Sequence, residues 1–394
     1  MKLSLQDLEP EGKRVLMRVD FNVPMNEKGI VIDDTRIKSS LPSIQYILKK
    51  GGILILMSHF GRPKGKVVPS LSLRPVAKRL SELMDQEVLL APDSVGDEVE
   101  QLVKSLSPGQ VLMLENLRFH KGEEHPNQEE NFAEKLASLG DCYVNDAFGA
   151  AHRSHASITE LPKFFPKMSA MGFLMEREVF SLSQVALTPK RPFYAIIGGA
   201  KIGTKLGILD ALIEKIDSIF IGGGMAYTFL RALGLQIGDS ISDDAMLPDA
   251  RAFLKACTDK AIQVHLPKDH LITNGEEIKI ALAKDGIPEG FKGMDIGPQT
   301  VEEWAILLTK GSTIFWNGPM GVYENPNFSE GTKRIAQNLS MVSGDVIVGG
   351  GDSVAAVTEL KLEKTFTHLS TGGGASLEFI EFGHLPGIDA LTPK

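Results

Sequence analysis

The first half of the chain carries polar and basic residues that could together hold a small anion. Two of them could hydrogen-bond hydroxyl groups and five are basic: Asp20, Asn22, Arg36, His59, Arg62, Arg118 and Arg153. Arginine suits this task because its planar guanidinium group matches the paired oxygens of carboxylates and phosphates. A lone arginine is usually a surface residue, but Arg62 and Arg118 directly follow predicted strands. The pattern therefore favours an anion site, whereas His152 and His155 could be structural and are assigned no chemistry.

Glycine-rich turns follow five predicted strands in the second half of the chain. They are Gly198-Gly199-Ala200-Lys201, Gly222-Gly223-Gly224-Met225, Asn317-Gly318-Pro319-Met320-Gly321, Gly349-Gly350-Gly351-Asp352 and Thr371-Gly372-Gly373-Gly374. Such turns expose backbone N–H groups and the positive end of the next helix, and both attract phosphate. One glycine at such a junction can be a simple turn residue. Five junctions of this kind favour a phosphate or nucleotide site.

Two common nucleotide-binding motifs can be excluded from the sequence. Gly198 and Gly203 have the spacing of a P-loop, but they are followed by Thr204-Lys205 instead of Lys and then Ser or Thr. No Gly-x-Gly-x-x-Gly pattern follows a predicted strand. The chain is therefore neither a P-loop NTPase nor a standard dinucleotide-binding protein.

Two lysines follow the first of the glycine turns. Lys201 and Lys205 lie four residues apart. If Lys201 begins the helix, both side chains lie on one helical face and can reach different parts of one polyphosphate. The ordinary alternative is a pair of solvated surface lysines, which is the usual state of this residue type.

One carboxylate, Asp352, stands between a glycine turn and a predicted helix. It follows Gly349-Gly350-Gly351 and precedes Ser353. Mg²⁺ is commonly held by one or two carboxylates together with phosphate oxygens of the substrate, so Asp352 could meet a nucleotide-bound Mg²⁺ ion. Aspartate is also a favoured residue at the start of a helix, and the two roles are compatible.

Composition restricts the class of partner. The chain has 394 residues, a length that suits two or three domains, and 43% of them are hydrophobic and 23% charged. A formal net charge of −8 provides no general basic surface for nucleic acid or an anionic membrane. The longest apolar run, residues 53–57, is too short to span a membrane, and residues 1–14 lack a signal-peptide core. Cys142 and Cys257 show no disulfide or metal-site spacing, so a reducing, cytoplasmic setting is expected.

Short apolar runs alternate with helical patterns along the whole chain. Strands buried on both faces are predicted at residues 15–19, 53–57, 111–114, 143–144, 193–197, 218–221, 264–266, 313–316, 346–348 and 366–369. Helical patterns lie between several of them, at residues 129–139, 206–216, 301–310 and 329–339. This alternation is typical of parallel sheets flanked by helices, so the predicted fold class is α/β.

The domain border is not marked by a repeat, a low-complexity tract or a Gly/Ser linker. A connecting helix is expected at residues 168–188, after an N-terminal domain of residues 1–167. Ligands of open parallel sheets bind beyond the carboxyl ends of the strands. There the first domain carries basic side chains and the second carries glycine turns. One domain is therefore expected to grip a small anion with side chains, and the other to offer backbone amides.

At these motifs the chain resembles the phosphoglycerate kinase family nearly from end to end. The segments that carry the resemblance are Arg18-Val19-Asp20-Phe21-Asn22-Val23-Pro24, Ser58-His59-Phe60-Gly61-Arg62-Pro63, Glu115-Asn116-Leu117-Arg118-Phe119, Gly198-Gly199-Ala200-Lys201, Gly222-Gly223-Gly224-Met225-Ala226, Trp316-Asn317-Gly318-Pro319, Gly350-Gly351-Asp352-Ser353 and Ser370-Thr371-Gly372-Gly373-Gly374-Ala375. One small departure is Tyr323, where members often have Phe. The resemblance implies two similar-sized α/β domains facing a cleft, each a mostly parallel sheet with helices on both faces.

The resemblance also implies a ligand for each domain. Phosphoglycerate is expected on the N-terminal domain, at the seven residues named first. MgADP or MgATP is expected on the C-terminal domain, residues 189–382, at Lys205, Gly222, Gly223, Gly293, Asn317, Pro319, Val322, Glu324, Gly350, Gly351, Asp352 and Ser353. Of these, Asp352 would approach the Mg²⁺ ion. Residues 383–394 are expected to return to the N-terminal domain, and members are usually monomeric.

The implied reaction is the glycolytic transfer of a phosphoryl group from 1,3-bisphosphoglycerate to ADP, giving 3-phosphoglycerate and ATP. We expect in-line transfer in which the equatorial oxygens are stabilised by Arg36, Lys201 and the amides of Gly372, Gly373 and Gly374. Two alternatives stay open. One is a non-catalytic, nucleotide-responsive protein whose arginine pocket recruits an acidic peptide. The other is an enzyme of the same fold that acts on a different acyl phosphate.

Overall fold

The computed structural model describes residues 2–394, and within them the chain divides into two units. The first unit runs to Phe180 and includes His384–Lys394. The second unit is Ser181–Gly383. No helix within the described residues has both the length and the apolar character needed to cross a membrane.

The first unit is built on a six-stranded parallel sheet in the order β3-β4-β2-β1-β5-β6. Its strands are β1 (Arg14–Arg18), β2 (Ile53–Met57), β3 (Val88–Leu90), β4 (Val111–Met113), β5 (Cys142–Asn145) and β6 (Ser169–Met171). Its helices are α1 (Thr35–Lys49), α2 (Arg74–Met84), α3 (Asp97–Ser105), α4 (Lys121–Glu124) and α5 (Phe132–Ala137). Helix α6 (Phe173–Ala186) then continues into the second unit.

The second unit contains another six-stranded parallel sheet, in the order β15-β14-β13-β7-β8-β9, and a small antiparallel sheet in the order β11-β10-β12. Its strands are β7 (Phe193–Ile197), β8 (Ser218–Ile221), β9 (Gln263–His265), β10 (Asp269–Thr273), β11 (Ile278–Leu282), β12 (Lys292–Ile296), β13 (Thr313–Asn317), β14 (Asp345–Gly349) and β15 (His368–Leu369). Within the parallel sheet this is the doubly wound order, with successive strands added on either side of β7 and β13.

The helices of the second unit are α7 (Leu206–Leu212), α8 (Met225–Ala232), α9 (Leu247–Asp259), α10 (Pro298–Leu308), α11 (Glu330–Leu339), α12 (Gly351–Glu359) and α13 (Gly374–Phe382). The chain then returns to the first unit, where α14 (Pro386–Asp389) lies. This last segment is tied to the first unit by hydrogen bonds. Lys2 Nζ donates to Leu391 O at 2.7 Å, and Asn145 Nδ2 donates to Gly387 O at 3.3 Å.

Helices cover both faces of each parallel sheet, which explains why the central strands are apolar throughout. All five residues of β2 and all five of β13 are buried. In the first unit, Ile44 of α1 and Leu80 of α2 share one core with Leu54 of β2. Burying such a side chain contributes roughly 1.5–3 kcal/mol relative to exposure. The sheets are therefore firm platforms for the loops at their edges.

The predicted α/β class is confirmed, with differences in particular elements. Strands β3 and β6, both three-residue edge strands, were not predicted; β6 contains no β-branched or aromatic residue and lies in the segment interpreted as a helix. The antiparallel sheet was also missed, because only strands with continuous apolar runs, buried on both faces, were sought, whereas β11 has Lys279 between two isoleucines and exposes three consecutive residues. The helix predicted at 129–139 is only α5, because Asn131 has a left-handed φ of 61° and ends any regular helix on its N-terminal side.

The region of the expected connecting helix differs as well. The helical pattern at 168–188 includes Ser169–Met171, which is strand β6 paired with β5. The helix itself begins only at Phe173. Asp146 accepts hydrogen bonds from the backbone N–H groups of Leu174 and Met175, at 2.9 and 3.3 Å, and so satisfies the first turn of α6. The start of α6 is thus fixed by Asp146, which directly follows β5.

Candidate active site

The carboxyl ends of β1 and β2 bring the first polar residues of the first unit together. Asp20 follows β1, and its Oδ2 accepts a hydrogen bond at 2.8 Å from Nη1 of Arg36, on α1. His59 follows β2, and its Nε2 lies 3.9 Å from Oδ1 of Asp20. Arg36 keeps 39% of its side-chain surface exposed. Its guanidinium group can therefore contact a ligand while it remains paired with Asp20.

The loop after β2 is held from two sides by predicted site residues. Asn22 Oδ1 accepts a hydrogen bond from the backbone N–H of Gly61 at 3.0 Å. Arg118 Nη1 donates to the carbonyl of the same glycine at 2.8 Å. Gly61 has a left-handed φ of 57°, which turns the chain so that Arg62 follows with an exposed side chain. The loop thus joins Asn22, Arg62 and Arg118 in one place.

Positive charge accumulates around Arg118, which is almost fully buried. Burial lowers its pKa, the nearby carboxylate of Glu124 raises it, and the charges of Arg18 and Arg153 lower it again, so that the net pKa lies below the usual value. The like charges of these arginines repel one another. An anionic ligand would relieve this repulsion, which is the electrostatic property expected of a phosphate or carboxylate site.

Behind these residues lies a buried polar cluster that the sequence did not reveal as part of the site. It consists of Arg18, Glu123, His155 and Ser157. Arg18 Nη2 lies 3.6 Å from Glu123 Oε1, and neither side chain has any exposed surface. Burial and the surrounding arginines lower the pKa of His155 to about 3, so its imidazole is neutral. The one sequence signal was a charged residue, Arg18, within the predicted strand at residues 15–19, whose other residues are apolar.

The strand order of the second unit defines where its ligand crevice lies. Strands β7 and β13 are neighbours in the sheet. The chain continues from β7 to β8 on one side and from β13 to β14 on the other, so the connections after β7 and β13 run in opposite directions. Open parallel sheets bind ligands at such a switch point. The loops that meet there are the first and third glycine turns.

These glycine turns are in backbone contact with one another. The N–H of Gly199 donates to Pro319 O at 3.1 Å, and the N–H of Gly223 donates to Met320 O at 3.0 Å. Gly223 has a φ of +66°, and a Cβ atom there would lie 2.6 Å from the nitrogen of Gly199. Glycine adopts this conformation without strain, and any side chain at this position would prevent the close approach. The second turn therefore packs directly on the first and third.

A cavity of about 390 Å³ opens at this crevice. Five of its lining residues were predicted for the nucleotide: Gly293, Pro319, Val322, Glu324 and Asp352. Its other lining residues were not assigned individually to the nucleotide, and they come from the glycine turns, from α8 and the loop after it, and from β12: Gly199, Ala200, Gly224, Tyr227, Ile241, Lys292, Met294 and Gly321. The mixture of apolar walls, backbone and a few charged groups is typical of a small-molecule site.

Tyr227 explains why a glycine stands at position 293. A Cβ atom on Gly293 would lie 2.1 Å from the hydroxyl oxygen of Tyr227 and 2.2 Å from Cζ, so a side chain there would collide with the ring. Tyr227 is 3% exposed and belongs to α8, which begins directly after the second glycine turn. Its place after Gly222-Gly223-Gly224 was the signal by which sequence reasoning could have found it.

The remaining predicted nucleotide residues form a polar group beside the cavity. Lys205 Nζ donates to Asn317 Oδ1, and burial lowers the pKa of Lys205 although the charge of Asp352 opposes this. Ser353 is buried, and its hydroxyl accepts a hydrogen bond from the N–H of Gly318 at 2.8 Å. Gly350 and Gly351 lie between these loops at the start of α12. The side chain of Asp352 is exposed and lines the cavity.

The condition for placing Lys201 and Lys205 on one helical face is not met. Lys201 is extended, with φ −131° and ψ 133°, and precedes a 3-10 turn at Ile202–Thr204. Helix α7 begins only at Leu206, with Lys205 as its N-cap. The two lysines are therefore separated by a tight turn, which leaves Lys201 exposed and Lys205 half-buried. The helical interpretation was wrong because the 3-10 turn, in which Ile202 is fully buried, stands between the two lysines.

The last glycine turn lies at the end of β15, which is the neighbour of β14 in the sheet. Gly373 has a left-handed φ of 53°, and α13 begins at Gly374. The N–H of Gly372 donates to the hydroxyl of Ser370 at 3.2 Å. The positive end of α13 thus opens at the same sheet edge as the turn that carries Asp352.

The carboxylates near the cavity suit a metal ion that arrives with a substrate. Among residues 2–394 no group of three or more His, Cys, Asp or Glu side chains is arranged as a metal site. Asp352 offers one exposed carboxylate on the cavity wall. Mg²⁺ typically takes one or two protein carboxylates and completes its shell with phosphate oxygens and water. The residues present therefore fit a nucleotide-bound Mg²⁺ ion.

Comparison with known proteins gives one consistent result. The sequence model of the phosphoglycerate kinase family matches residues 5–382. The chain is 47% identical over 399 residues to the phosphoglycerate kinase of Chlamydia muridarum (strain MoPn / Nigg), covering 100% of this chain and 99% of that protein. It is 50% identical over 397 residues to that of Chlorobium phaeobacteroides (strain BS1), covering 99% of each. The structure of phosphoglycerate kinase from Coxiella burnetii superposes with a TM-score of 0.88 at 35% identity, covering 99% of this chain and 98% of that one.

Replacing Gly223 by alanine tests the packing of the glycine turns. We expect Gly223→Ala to destabilise the second unit more than Gly234→Ala does. Both glycines have a left-handed φ, but nothing lies within 4 Å of a Cβ atom at Gly234. The strain of the left-handed conformation costs about 1–2 kcal/mol in each variant, and the collision at Gly223 adds about 1–3 kcal/mol.

The measurement is urea unfolding followed by tryptophan fluorescence. Trp304 and Trp316 are the two tryptophans of the chain, and both are buried in the second unit, so their emission reports on this unit alone. ADP binding by calorimetry should also weaken in Gly223→Ala and stay unchanged in Gly234→Ala. Equal loss of stability in the two variants would contradict the packing described here.

Proposed function

The chain belongs to the phosphoglycerate kinase family, and from this premise we propose which of its residues carry the reaction. The reaction is reversible phosphoryl transfer from 1,3-bisphosphoglycerate to ADP, giving 3-phosphoglycerate and ATP in glycolysis. The assignment of residues rests on one observation. A cluster of arginines lies at the edge of the sheet in the first unit, and glycine turns surround a cavity at the edge of the parallel sheet in the second unit.

We assign phosphoglycerate to the first unit. The assignment is supported by the contacts that join Asp20, Asn22, Arg36, His59 and Arg118 around the loop of Gly61. Arg62 and Arg153 add exposed guanidinium groups to the same edge. The arginines supply charge for the carboxyl and phosphate oxygens, and the polar residues supply hydrogen bonds for the hydroxyl. The high positive charge favours a ligand with more than one negative charge.

We assign the nucleotide to the second unit. The apolar part of the cavity, formed by Pro319, Val322 and Ile241, would take the adenosine. Glu324 lies on the same wall and could accept hydrogen bonds from ribose hydroxyls. The phosphates would extend toward Lys205 and the turn of Gly350, Gly351 and Asp352, where backbone N–H groups and the start of α12 attract them. Gly222, Gly223, Asn317 and Ser353 would support this turn from behind.

The protein has to position the two substrates and stabilise the charge of the transition state, because the transfer needs neither a base nor a covalent nucleophile. An oxygen of the β-phosphate of ADP is already ionised and attacks the phosphorus of the acyl phosphate. The bond from phosphorus to the carboxyl oxygen breaks, and the carboxylate leaves with the electron pair without needing a proton. Negative charge spreads over the three equatorial oxygens during transfer. We assign their stabilisation to Arg36, Lys201 and the amides of Gly372, Gly373 and Gly374.

We propose that Asp352 holds the Mg²⁺ ion of the nucleotide. When bound, the ion neutralises charge on the phosphate oxygens of ADP or ATP. The support for this role is that Asp352 is exposed on the cavity wall and that its charge acts on Lys205. Asp352 would thus position the phosphates together with Lys205, which is half-buried at the same place.

Asp352→Asn tests this assignment. We expect weaker binding of MgADP, because the amide keeps the shape of the side chain but loses its charge, while the affinity for 3-phosphoglycerate stays near that of the wild type. Calorimetric titration with each ligand measures both quantities. Asp259→Asn is the control, since Asp259 is exposed and pairs with Lys255. Unchanged MgADP affinity and unchanged turnover in Asp352→Asn would leave Asp352 only a role at the start of α12.

Direct transfer requires the two ligands to come within bonding distance, and we assign them to different units. We therefore propose that the units close on their ligands.

We also propose that the protein works as a monomer in the cytoplasm. Cys142 and Cys257 are buried free thiols, as a reducing compartment allows. Small-angle scattering should give a mass near 42.8 kDa and a smaller radius of gyration with both ligands than with neither. A doubled mass or an unchanged radius would refute the corresponding part of the proposal.

Lys201 and Lys205 divide the work on the phosphates. Lys201 is exposed and next to the first glycine turn, so we expect it to meet the phosphoryl group during transfer. Lys201→Ala should lower kcat by roughly 10²- to 10³-fold with little change in ADP affinity, because its contact forms mainly in the transition state. Lys205 is half-buried against Asn317. Lys205→Ala should mainly raise the KM for ADP, because it removes contacts that do not change during transfer.

The assay follows ATP formation from 1,3-bisphosphoglycerate and ADP with a coupled reporter enzyme. Lys260→Ala serves as the control, since Lys260 pairs with Glu214 on the surface. Rescue of Lys201→Ala by saturating ADP, or equal loss of kcat in both variants at normal KM, would refute this division of work. Failure of the wild-type protein to form ATP in this assay would refute the function itself.

A further inference from the structure

Arg18 is held in one orientation by three contacts, one from each part of its guanidinium group. Its Nε donates to the hydroxyl oxygen of Ser157 at 2.8 Å, Nη1 donates to the carbonyl of Val19, and Nη2 lies 3.1 Å from Nδ1 of His59. The side chain has no exposed surface. A planar group fixed at three points cannot rotate, so the position of Nη2 beside His59 is set by the fold.

This contact determines which nitrogen of His59 carries the proton. A guanidinium group has only donors, so Nδ1 of His59 must accept through its lone pair. In a neutral imidazole the proton then lies on Nε2. A charged imidazolium would turn Nδ1 into a donor, lose the hydrogen bond, and place two positive groups 3.1 Å apart. The fold therefore opposes both the other tautomer and the charged form.

Glu123 and Ser157 hold Arg18 in place. Ser157 donates from its hydroxyl to Glu123 Oε1 at 2.7 Å and from its backbone N–H to Oε2 at 3.0 Å. The hydroxyl oxygen of Ser157 is thereby turned to accept from Arg18. Glu123 also balances the buried positive charge at 3.6 Å. The chain of contacts runs from Glu123 through Ser157 and Arg18 to His59.

The other ring nitrogen of His59 points to the proposed phosphoglycerate site. Nε2 lies 3.9 Å from Oδ1 of Asp20, which is too long for a hydrogen bond, and no partner for it is seen among residues 2–394. The charged and titratable groups that surround this ring are Arg18, Asp20, Arg36, Arg118, Glu123 and His155. Burial first, and then the charges of the arginines and His155, lower the pKa of His59 well below its usual value.

We propose that Arg18 is a positioning residue that fixes His59 as a neutral donor, with its Nε2–H directed at an oxygen of the bound phosphoglycerate, and that Glu123 and Ser157 hold Arg18 for this purpose. The inference rests on the assignment of phosphoglycerate to the first unit. Its benefit is electrostatic. The site gains a donor that cannot turn into an acceptor, without adding another positive charge to a cluster of arginines that already repel one another.

The first test observes the tautomer in ligand-free wild-type protein. Two-dimensional ¹H–¹⁵N spectra of ¹⁵N-histidine-labelled protein distinguish protonated from unprotonated ring nitrogens, and His59→Gln identifies the signals of His59. We expect an unprotonated Nδ1 and a protonated Nε2 that do not titrate between about pH 5.5 and 8.5, a range that spans the usual histidine pKa. A proton on Nδ1, or titration within this range, would overturn the proposal.

The second test removes the constraint on His59. Arg18→Lys keeps the positive charge but removes the planar guanidinium group. Ser157→Ala removes the hydroxyl group that accepts the hydrogen bond from Nε of Arg18. Arg14→Lys is the matched control, because Arg14 is on the same strand and pairs with Asp141 instead. The readout is the Kd for 3-phosphoglycerate relative to that of the wild type at each pH. This ratio cancels the titration of the ligand's own phosphate, which lies in the same range.

For Arg18→Lys we expect the Kd for 3-phosphoglycerate to be about tenfold that of the wild type near pH 8, because the proton of His59 is no longer fixed on Nε2. The ratio should fall below about pH 6.5, because His59 then becomes charged in the variant and both ring nitrogens carry protons. Ser157→Ala should follow the same pH trend with a smaller ratio, and Arg14→Lys should give a ratio near one throughout. A ratio that does not change with pH would mean a merely structural effect and would overturn the proposal. If a variant fails to fold, the tautomer of the wild type still decides.

The two proposals can fail separately. The tautomer is measured without any ligand, so a proton on Nδ1 would refute this inference while ATP formation continued unchanged. If instead the tautomer is as expected but Arg62→Ala and Arg118→Ala bind 3-phosphoglycerate as the wild type does, the assignment of phosphoglycerate to this unit is wrong.

Discussion

Parallel pairing of the strands is the constraint on which both proposed sites depend. In each six-stranded sheet every strand runs in the same direction as its neighbours, so their carboxyl ends lie at one edge. Asp20 and His59, or Lys205 and Asn317, therefore meet although no short motif contains both members of either pair. Helices that bury the strands on both faces keep the edge rigid. The loops can then carry residues chosen for ligands.

The two proposed sites would hold anionic ligands by different physical means. The first unit concentrates guanidinium groups, whose mutual repulsion has to be balanced from within the fold. Glu123 and Glu124 supply that balance, and burial together with the arginine charges lowers the pKa of His59. The second unit relies on backbone N–H groups and helix starts, which carry partial charges and need no such compensation. Its requirement is close approach of backbone to backbone, which the glycine at position 223 satisfies.

These arrangements suit a reaction in which the protein supplies no atom. An acyl phosphate has a good leaving group and ADP an ionised nucleophile, so charge and position are sufficient for catalysis. Membership of the phosphoglycerate kinase family disfavours both alternatives that the motifs alone had left open, a non-catalytic nucleotide sensor and a kinase for another acyl phosphate.

The fold class, the central strands and the residue types at their ends could all be predicted from the amino-acid order. Strands at Ile53–Met57, Phe193–Ile197 and Ser218–Ile221 were predicted to the residue, because burial on both faces leaves continuous apolar runs. Tertiary structure alone decided the partners of the side chains. Arg18 meets His59 across 41 residues and Lys205 meets Asn317 across 112. The local sequence pattern indicates how deeply a residue is buried. Its spatial neighbours depend on the order of the strands in the sheet, which a local pattern does not contain.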